Sequence, residues 1–303
     1  VSKPAAGWLP VCHVSEVAEV GQYVVLPWGP DGGEIAVSRM GPVRFDGLVA
    51  WDNRCPHRGR KILPAACGRS DHVCAYHGRT AHAGNVRHHP LDVHCDFVWV
   101  SVAGGATGWQ PGCGILPWSS GSPRTWSLHS ELRLVMDCDW TVAVENALDA
   151  EHINSVHADS LAQLGLAPEA LNRLPGGSSC EVFTSAKSAE LDRLGRALDF
   201  GRSVSGDYLH LHLAPFSCFS STRGYALNFQ QYFPAKDGKT LFIHKLYGDL
   251  TAKPAARRAY LDKVAAMNKM VFEEDADICQ GVPAGYGKLG PSDLRIQHFR
   301  SSL

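Results

Sequence analysis

Cys55-Pro56-His57 and Cys74-Ala75-Tyr76-His77 stand sixteen residues apart, with Gly59, Pro64 and Gly68 between them. Each half offers one thiolate and one imidazole. One iron of a [2Fe–2S] cluster can therefore take both sulfurs, from Cys55 and Cys74, and the other both nitrogens, from His57 and His77. The intervening glycines and proline suit two loops folding toward each other over one cluster. A lone C-x-H carries little weight, and the bland alternative is two buried cysteines beside two incidental histidines. The pairing points instead to an electron-carrying protein, because grouped cysteines outside secreted frameworks usually serve metal or redox chemistry.

Length and composition bound the rest. At 303 residues, with 45% hydrophobic residues, the chain is about twice a typical domain and rich enough for two packed cores. Two domains are expected, 1–115 around the cluster and 116–303 beyond it. A bare electron carrier would not need the second. The formal net charge is −1, and there is neither an apolar run of about eighteen residues nor a signal-like opening. The expectation is a soluble, cytoplasmic protein with no nucleic-acid or membrane partner. Beyond the cluster pair, Cys12, Cys67, Cys95, Cys113, Cys138, Cys180, Cys218 and Cys279 lack framework spacing and are expected to be free, mostly buried thiols.

Short apolar runs such as Tyr23-Val24-Val25-Leu26, Leu48-Val49-Ala50-Trp51 and Phe97-Val98-Trp99-Val100, cut by glycine and proline, predict a small β-sandwich over the first 110 or so residues. Gly104 to Pro123, rich in Gly, Pro and Ser, is the linker candidate. A short helical segment near 141–158 follows, then alternating strands such as Tyr208–Leu213 and Asn228–Phe233. Tyr260, Val264, Met267 and Val271 recur at helical spacing, so Ala255 to Asp277 is expected to form a helix packed on that sheet.

Residues Asn146 to His157 carry N-x-x-D-x-x-H-x-x-x-x-H. Two histidines and a carboxylate on one face of an iron, with open positions opposite, is the arrangement of non-haem Fe(II) that activates O₂. On an unbroken helix, residues five apart are rotated by roughly 140°, so His152 and His157 require a break between them. Asn154-Ser155 is the expected place, since polar side chains compete for backbone hydrogen bonds.

With both constellations in hand, the chain resembles the catalytic α subunit of the Rieske non-haem iron ring-hydroxylating oxygenases. Gly7-Trp8-Leu9-Pro10-Val11 and Cys55-Pro56-His57-Arg58-Gly59 share in the match. Respiratory Rieske proteins differ by a disulfide between the cluster loops, and here Arg60 and Tyr76 hold its positions. The resemblance implies an α+β chain, an N-terminal Rieske β-sandwich followed by a C-terminal helix-grip, START-like catalytic domain with an antiparallel sheet. It implies a Rieske [2Fe–2S] cluster on Cys55, His57, Cys74 and His77, and mononuclear Fe(II) on His152, His157 and a carboxylate of the C-terminal helix. Aligning Cys279-Gln280 with the family's usual Cys-Glu places that carboxylate at Asp275, with Asp277 as runner-up. Asn146 and Asp149 would complete the catalytic set, Asp149 as the bridge to a Rieske histidine of a neighbouring subunit. The short step from Asn146 to Asp149 resembles the α-only branch of vanillate demethylase and phthalate oxygenase, which implies a homotrimer or a stack of two.

Departures from the family pattern touch no expected ligand. Arg79 replaces a common tryptophan, Ala81 an aromatic, and Gln280 a glutamate. Asn228, Gln230, Tyr232, His210, His212 and His244 alternate on strands and are candidates for a pocket wall. The implied activity is a terminal oxygenase that takes electrons from a ferredoxin or flavin reductase and uses O₂ to hydroxylate or demethylate a small aromatic or heterocyclic substrate. The alternative is an electron-transfer protein whose second domain only binds a small ligand. Between Arg54 and Arg87 there are seven basic residues (Arg54, Arg58, Arg60, Lys61, Arg69, Arg79, Arg87) against one acid, Asp71, a face suited to an acidic donor.

Overall fold

A computed structural model describes residues 7–28, 32–42, 47–80, 86–102, 125–201, 204–287, 289–290 and 293–303. The linker candidate Gly104 to Pro123, Ala81 and Cys113 lie outside these residues. The chain divides into two units, Lys3–Ile115 and Leu116–Leu303.

In the first unit the valine-rich runs become strands because branched side chains pack well on a pleated surface. These are β1 (Trp8–His13), β2 (Gln22–Trp28), β3 (Gly33–Arg39), β4 (Leu48–Asp52), β5 (Cys67–Arg69), β6 (His88–His89), β7 (Leu91–His94) and β8 (Phe97–Ser101). Among the described residues they form a five-stranded sheet, order β5-β2-β3-β4-β6, and a three-stranded sheet, order β1-β8-β7. One core cluster joins Tyr23, Val25, Ala36, Trp51, Ile62 and Leu63 to Cys55 and Cys74. The two thiols thus belong to the hydrophobic core, whereas His57 and His77 are exposed.

The second unit holds a seven-stranded antiparallel sheet, built from β9 (Trp126–Met136), β10 (Leu166–Arg173), β11 (Ser179–Ser185), β12 (Tyr208–Leu213), β13 (Ser217–Thr222), β14 (Leu227–Pro234) and β15 (Thr240–Asp249). Its order is β10-β11-β12-β13-β14-β15-β9. Between strands come α1 (Trp140–Leu148), α2 (Ile153–Val156) and α3 (Ser188–Leu198), and after them α4 (Pro254–Ile278) and α5 (Leu294–Arg300). Helix α4 starts at Pro254, whose missing N–H costs nothing in a first turn. Its buried residues include Leu261, Asn268, Val271 and Phe272, one stripe at steps of three or four that covers the sheet. Fully burying an apolar side chain of this size contributes roughly 1.5–3 kcal/mol, so the stripe fixes the rotation of the helix. Asp275 continues it, four residues beyond Val271. Asp277, two residues further round, is exposed.

Helix α1 is capped by Asp139, whose carboxylate accepts the Thr141 N–H at 2.9 Å. Its other side is tied to α5 by a two-pronged ion pair, Arg300 Nε and Nη2 donating to Glu145 at 2.6 and 2.7 Å. The helical segment predicted over 141–158 is broken, as expected, into two pieces. The break falls at Asp149, which leaves helical geometry at φ −81°, ψ 114°, and not at Asn154-Ser155. Those two residues lie inside the single turn of α2, flanked by His152 at its start and His157, at φ −103°, ψ 35°, at its end. The helical hydrogen bonds run through this turn, Val156 N–H to His152 O at 2.8 Å and His157 N–H to Ile153 O at 3.1 Å, and the two imidazoles at its ends reach one point, Nε2 to Nε2 at 3.1 Å.

Candidate metal centres

The two cluster loops repeat one hydrogen-bond pattern. Cys55 N–H donates to Arg60 O at 2.8 Å and Gly59 N–H to Cys55 O at 2.8 Å, while Cys74 N–H donates to Arg79 O at 2.7 Å and Gly78 N–H to Cys74 O at 3.0 Å. Gly59 and Gly78, each four residues after its cysteine, have φ of +71° and +66°, a left-handed conformation that a side chain would strain. Asn53 clamps the base of the first loop, accepting Leu63 N–H at 2.8 Å and donating to Leu63 O at 2.8 Å. At the tips, His57 Nδ1 and His77 Nδ1 face each other at 3.1 Å. The backbone N–H of Tyr76, and to a lesser degree the Cys55 side chain and the His77 N–H, outweigh burial and hold the Cys74 thiol below its usual pKa. Partial desolvation at the loop tip, with the Arg79 charge and the His77 ring nearby, holds the exposed His57 below the ordinary imidazole value. A thiolate and a neutral imidazole are the forms that ligate iron, so the donor set fits a Rieske cluster.

The second constellation closes around Asp275. His152 Nε2 and His157 Nε2 are 3.1 Å apart, and the Asp275 Oδ1 atom lies 3.4 Å from the first and 3.1 Å from the second. Three mutually cis ligands about 2.1 Å from one ion would stand roughly 3.0 Å apart, so this triangle fits a facial two-histidine, one-carboxylate site. Among the described residues these three form the one such His/Cys/Asp/Glu group. Asn146 Nδ2 donates to the same Asp275 oxygen at 2.7 Å. Burial pushes the Asp275 carboxyl pKa up, but hydrogen bonds from His152, His157 and Asn146 outweigh it and keep the group below the usual carboxylate value.

Glu274 is the functional residue that sequence reasoning missed. Its Oε2 accepts His157 Nδ1–H at 2.7 Å and Ser160 Oγ–H at 3.0 Å. With Nδ1 protonated toward Glu274, the Nε2 lone pair of His157 is left for a metal. Burial draws the His157 pKa down, yet the hydrogen bonds and charges of Asp275 and Glu274 prevail and raise it above the ordinary value.

Asp149 departs from the expected geometry. It does not share a helix with His152, since α1 ends there, and its Oδ2 lies 3.9 Å from His152 Nδ1, too far for a hydrogen bond. The carboxylate instead accepts Glu151 N–H at 2.7 Å, a turn-closing contact typical of aspartate. His152 Nδ1 is buried without a hydrogen-bond partner.

Beside the triangle lies a cavity of about 400 Å³, the size of a small-molecule site. Phe183, Leu191, Val264, Met267 and Phe272 supply its apolar lining, and Tyr208, His210, Asn228, Gln230 and Tyr232 part of its polar wall. Of the strand residues expected there, His212 and His244 are absent from the lining. His212 packs edge-on against Phe299. Cys138 and Cys279, both buried and free, are in side-chain contact. No described helix is long and apolar enough to cross a membrane.

Comparison with known proteins follows this division. A family model described as "Rieske [2Fe-2S] domain" matches residues 7–96, and one described as "Ring hydroxylating alpha subunit (catalytic domain)" matches residues 123–301. The chain is similar to the quaternary ammonium Rieske monooxygenase CntA, at 16% identity and a TM-score of 0.74 over 98% of this chain and 87% of that one. It is similar also to naphthalene 1,2-dioxygenase from Rhodococcus sp., at 16% identity and a TM-score of 0.66 over 97% and 88%. At such identities the likeness is one of fold. A curated relative, "Oxidoreductase NdmD" of Pseudomonas putida, is 33% identical over 76 residues, which is 25% of this chain and only 10% of that protein. Since the catalytic-domain match alone spans more than half of the sequence, behind a Rieske domain, the chain belongs to the ring-hydroxylating α-subunit family of Rieske proteins.

Proposed function

We propose that the protein is the terminal oxygenase of a short electron-transfer chain and acts on a small aromatic or heterocyclic compound by hydroxylation or oxidative demethylation. The observation that carries this reading is the triangle of His152, His157 and Asp275, with ligand atoms 3.1 to 3.4 Å apart, beside a cavity of about 400 Å³. Cys55, Cys74, His57 and His77 would hold the Rieske cluster, and the triangle would hold Fe(II). The cluster supplies single electrons and the ferrous ion supplies O₂ activation.

The chain's own residues then have definable tasks. Asn146 positions the Asp275 carboxylate through their 2.7 Å hydrogen bond, and Glu274 sets the tautomer of His157. The apolar wall excludes water and holds the substrate flat against the open side of the triangle. An electron-carrier role would leave this second set of ligands without use.

The assembly is read as a homotrimer in which Asp149 faces a Rieske histidine of the neighbouring subunit. Two features support this. The Asp149 side chain is 33% exposed, and His152 Nδ1 lies 3.9 Å behind it with no hydrogen-bond partner. The donor is read as an acidic ferredoxin or reductase domain. Lys61 and Arg69 of the basic face are already paired with Glu34 and Glu19, but Arg54, Arg58, Arg60, Arg79 and Arg87 are exposed and make no ion pair among the described residues. Opposite fields of this kind accelerate encounter more than they tighten binding.

The test is substrate-dependent O₂ uptake by the reduced protein across a panel of small aromatics, with product mass recorded. An added oxygen atom, or a lost methyl group, is expected for compounds that bind. Tight binding with no O₂ uptake and no change in mass across the panel would leave the oxygenase reading without support.

A further inference from the structure

The sheet face beneath α4 is unusually polar for a surface covered by a helix. Cross-strand pairing places Glu181, His210, Ser220 and Asn228 in one row over β11 to β14, and Gln230 lies on the same face two residues beyond Asn228. His210, Ser220, Asn228 and Gln230 all line the cavity that adjoins the metal ligands. His210, Ser220 and Gln230 are more than nine-tenths buried. Polar groups so placed are costly unless something pairs with them.

The internal hydrogen bonds consume mainly acceptors. Gln230 Oε1 accepts the Tyr232 hydroxyl at 2.8 Å. Asn228 Oδ1 accepts both Asn268 Nδ2 at 2.7 Å and His244 Nε2 at 3.1 Å. His210 Nδ1 accepts Arg295 Nη2 at 2.5 Å, which leaves the proton of this neutral ring on Nε2. In this row of sheet side chains the groups left over are mainly donors, whereas Asn268 Oδ1, from α4, is an acceptor in the same cavity. The hydrogen bonds of these three residues among the described residues leave Gln230 Nε2, Asn228 Nδ2 and His210 Nε2 unused on side chains that line the cavity, and the buried Ser220 hydroxyl, next to Tyr208, makes no well-formed hydrogen bond.

Charge narrows the choice further. Arg295 is paired with Glu181 at 2.9 Å, and Lys263, the other cation of the lining, is exposed. The lining carboxylates are Asp149 and Asp275; Asp275 is taken up by the two histidines and Asn146, and Asp149 accepts Glu151 N–H at 2.7 Å.

We propose that the cavity selects a flat, neutral heteroaromatic carrying carbonyl or ring-nitrogen acceptors, held by the N–H groups of Gln230, Asn228 and His210. The inference rests on the oxygenase reading of the same site. A plain hydrocarbon would leave several N–H groups desolvated and unpaired, a mismatch that in sites built around hydrogen bonds is worth up to about 10⁴-fold in discrimination. A cationic substrate would meet mainly donors on the sheet face of the cavity.

The experiment is calorimetric titration of the anaerobic holoprotein with two bicyclic probes of similar size, 1,3-dimethylquinazoline-2,4-dione and naphthalene, and with a cationic one, trimethyl(2-naphthyl)ammonium. The dione is expected to bind at least about tenfold more tightly than either of the others. Gln230→Met, which keeps the side-chain length and removes the amide, is expected to weaken the dione at least about tenfold while naphthalene holds or gains. Naphthalene or the cation binding wild-type protein as tightly as the dione overturns the proposal, whether or not the variant folds. So does a folded Gln230→Met protein with unchanged dione affinity. Binding without O₂ does not depend on turnover, so failure of the oxygenase reading would show separately, as dione binding with no oxygen uptake once O₂ is admitted.

Discussion

Replacing Glu274 isolates the part of the iron site that lies one bond shell out from the metal. The carboxylate makes two contacts, accepting His157 Nδ1–H at 2.7 Å and Ser160 Oγ–H at 3.0 Å. Losing an outer hydrogen bond of this kind typically weakens metal affinity about 10- to 100-fold, equal to roughly 1.4 to 2.7 kcal/mol. The two obvious variants should fall at opposite ends of that range. Glu274→Gln keeps an oxygen that can accept Nδ1–H but removes the charge, so about tenfold is expected. Glu274→Ala leaves Nδ1–H and the Ser160 hydroxyl without their acceptor, so about a hundredfold is expected. Glu273 is the control, being exposed with only a loose 3.7 Å pair to Lys269, and Glu273→Gln should change affinity less than about twofold. Equilibrium competition against a graded series of Fe(II) chelators, with iron counted per Rieske cluster, reads all three. Glu274→Ala within twofold of wild type, or Glu273→Gln as damaging as Glu274→Gln, would refute the reasoning.

The same carboxylates predict a pH dependence. The folded pKa of His157 lies above its ordinary value of 6.5. In the metal-free protein its charged form therefore stabilises the fold below the unfolded pKa, and that contribution disappears as pH rises through the folded one. Iron needs the neutral ring, so occupancy should fall on acidification in a window that opens above 6.5, and flat occupancy from about pH 8 to about pH 6 would contradict this. Asp149→Asn is expected to keep both metal centres and the wild-type assembly state but lose nearly all turnover. The reduced Rieske signal should then fail to decay when substrate and O₂ are added, whereas wild-type decay would remove Asp149 as the bridge. Reduction by the physiological donor should slow steeply with added salt if the exposed arginines steer it, and a salt-independent rate would rule that out.

Much of both centres was legible because their chemistry is local. Cys55, His57, Cys74 and His77 sit in two short loops, each with glycine four residues after its cysteine, so pattern and fold carry the same information. Asp275 came from the family resemblance, through Cys279-Gln280, with Asp277 left open. The structure sets the Asp275 carboxylate beside both histidines, on the buried stripe of α4, and leaves Asp277 exposed. What escaped depends on residues far apart in sequence. Glu274 meets His157 across 117 positions, and nothing in an acidic run distinguishes the one carboxylate that faces an imidazole. The break before α2 escaped for a local reason, because Asp149 and Asn154-Ser155 are all residues that can end a helix. The departure at Asp149 comes from the carboxylate folding back on Glu151, a choice that local propensity leaves open. The donor character of the cavity could not be read from strand alternation, since it depends on which amide oxygens are already taken by Tyr232, Asn268 and His244.

Iron stoichiometry tests the central claim most directly, because it asks whether one chain carries two different metal centres. The holoprotein is expected to contain about three iron atoms per chain, two in the cluster and one beside the cavity. Asp275→Ala should release about one of them while the visible absorbance and rhombic EPR signal of the Rieske cluster stay unchanged. About two iron atoms in the wild-type chain, or an Asp275→Ala protein that keeps the third while Asp277→Ala loses it, would contradict the account.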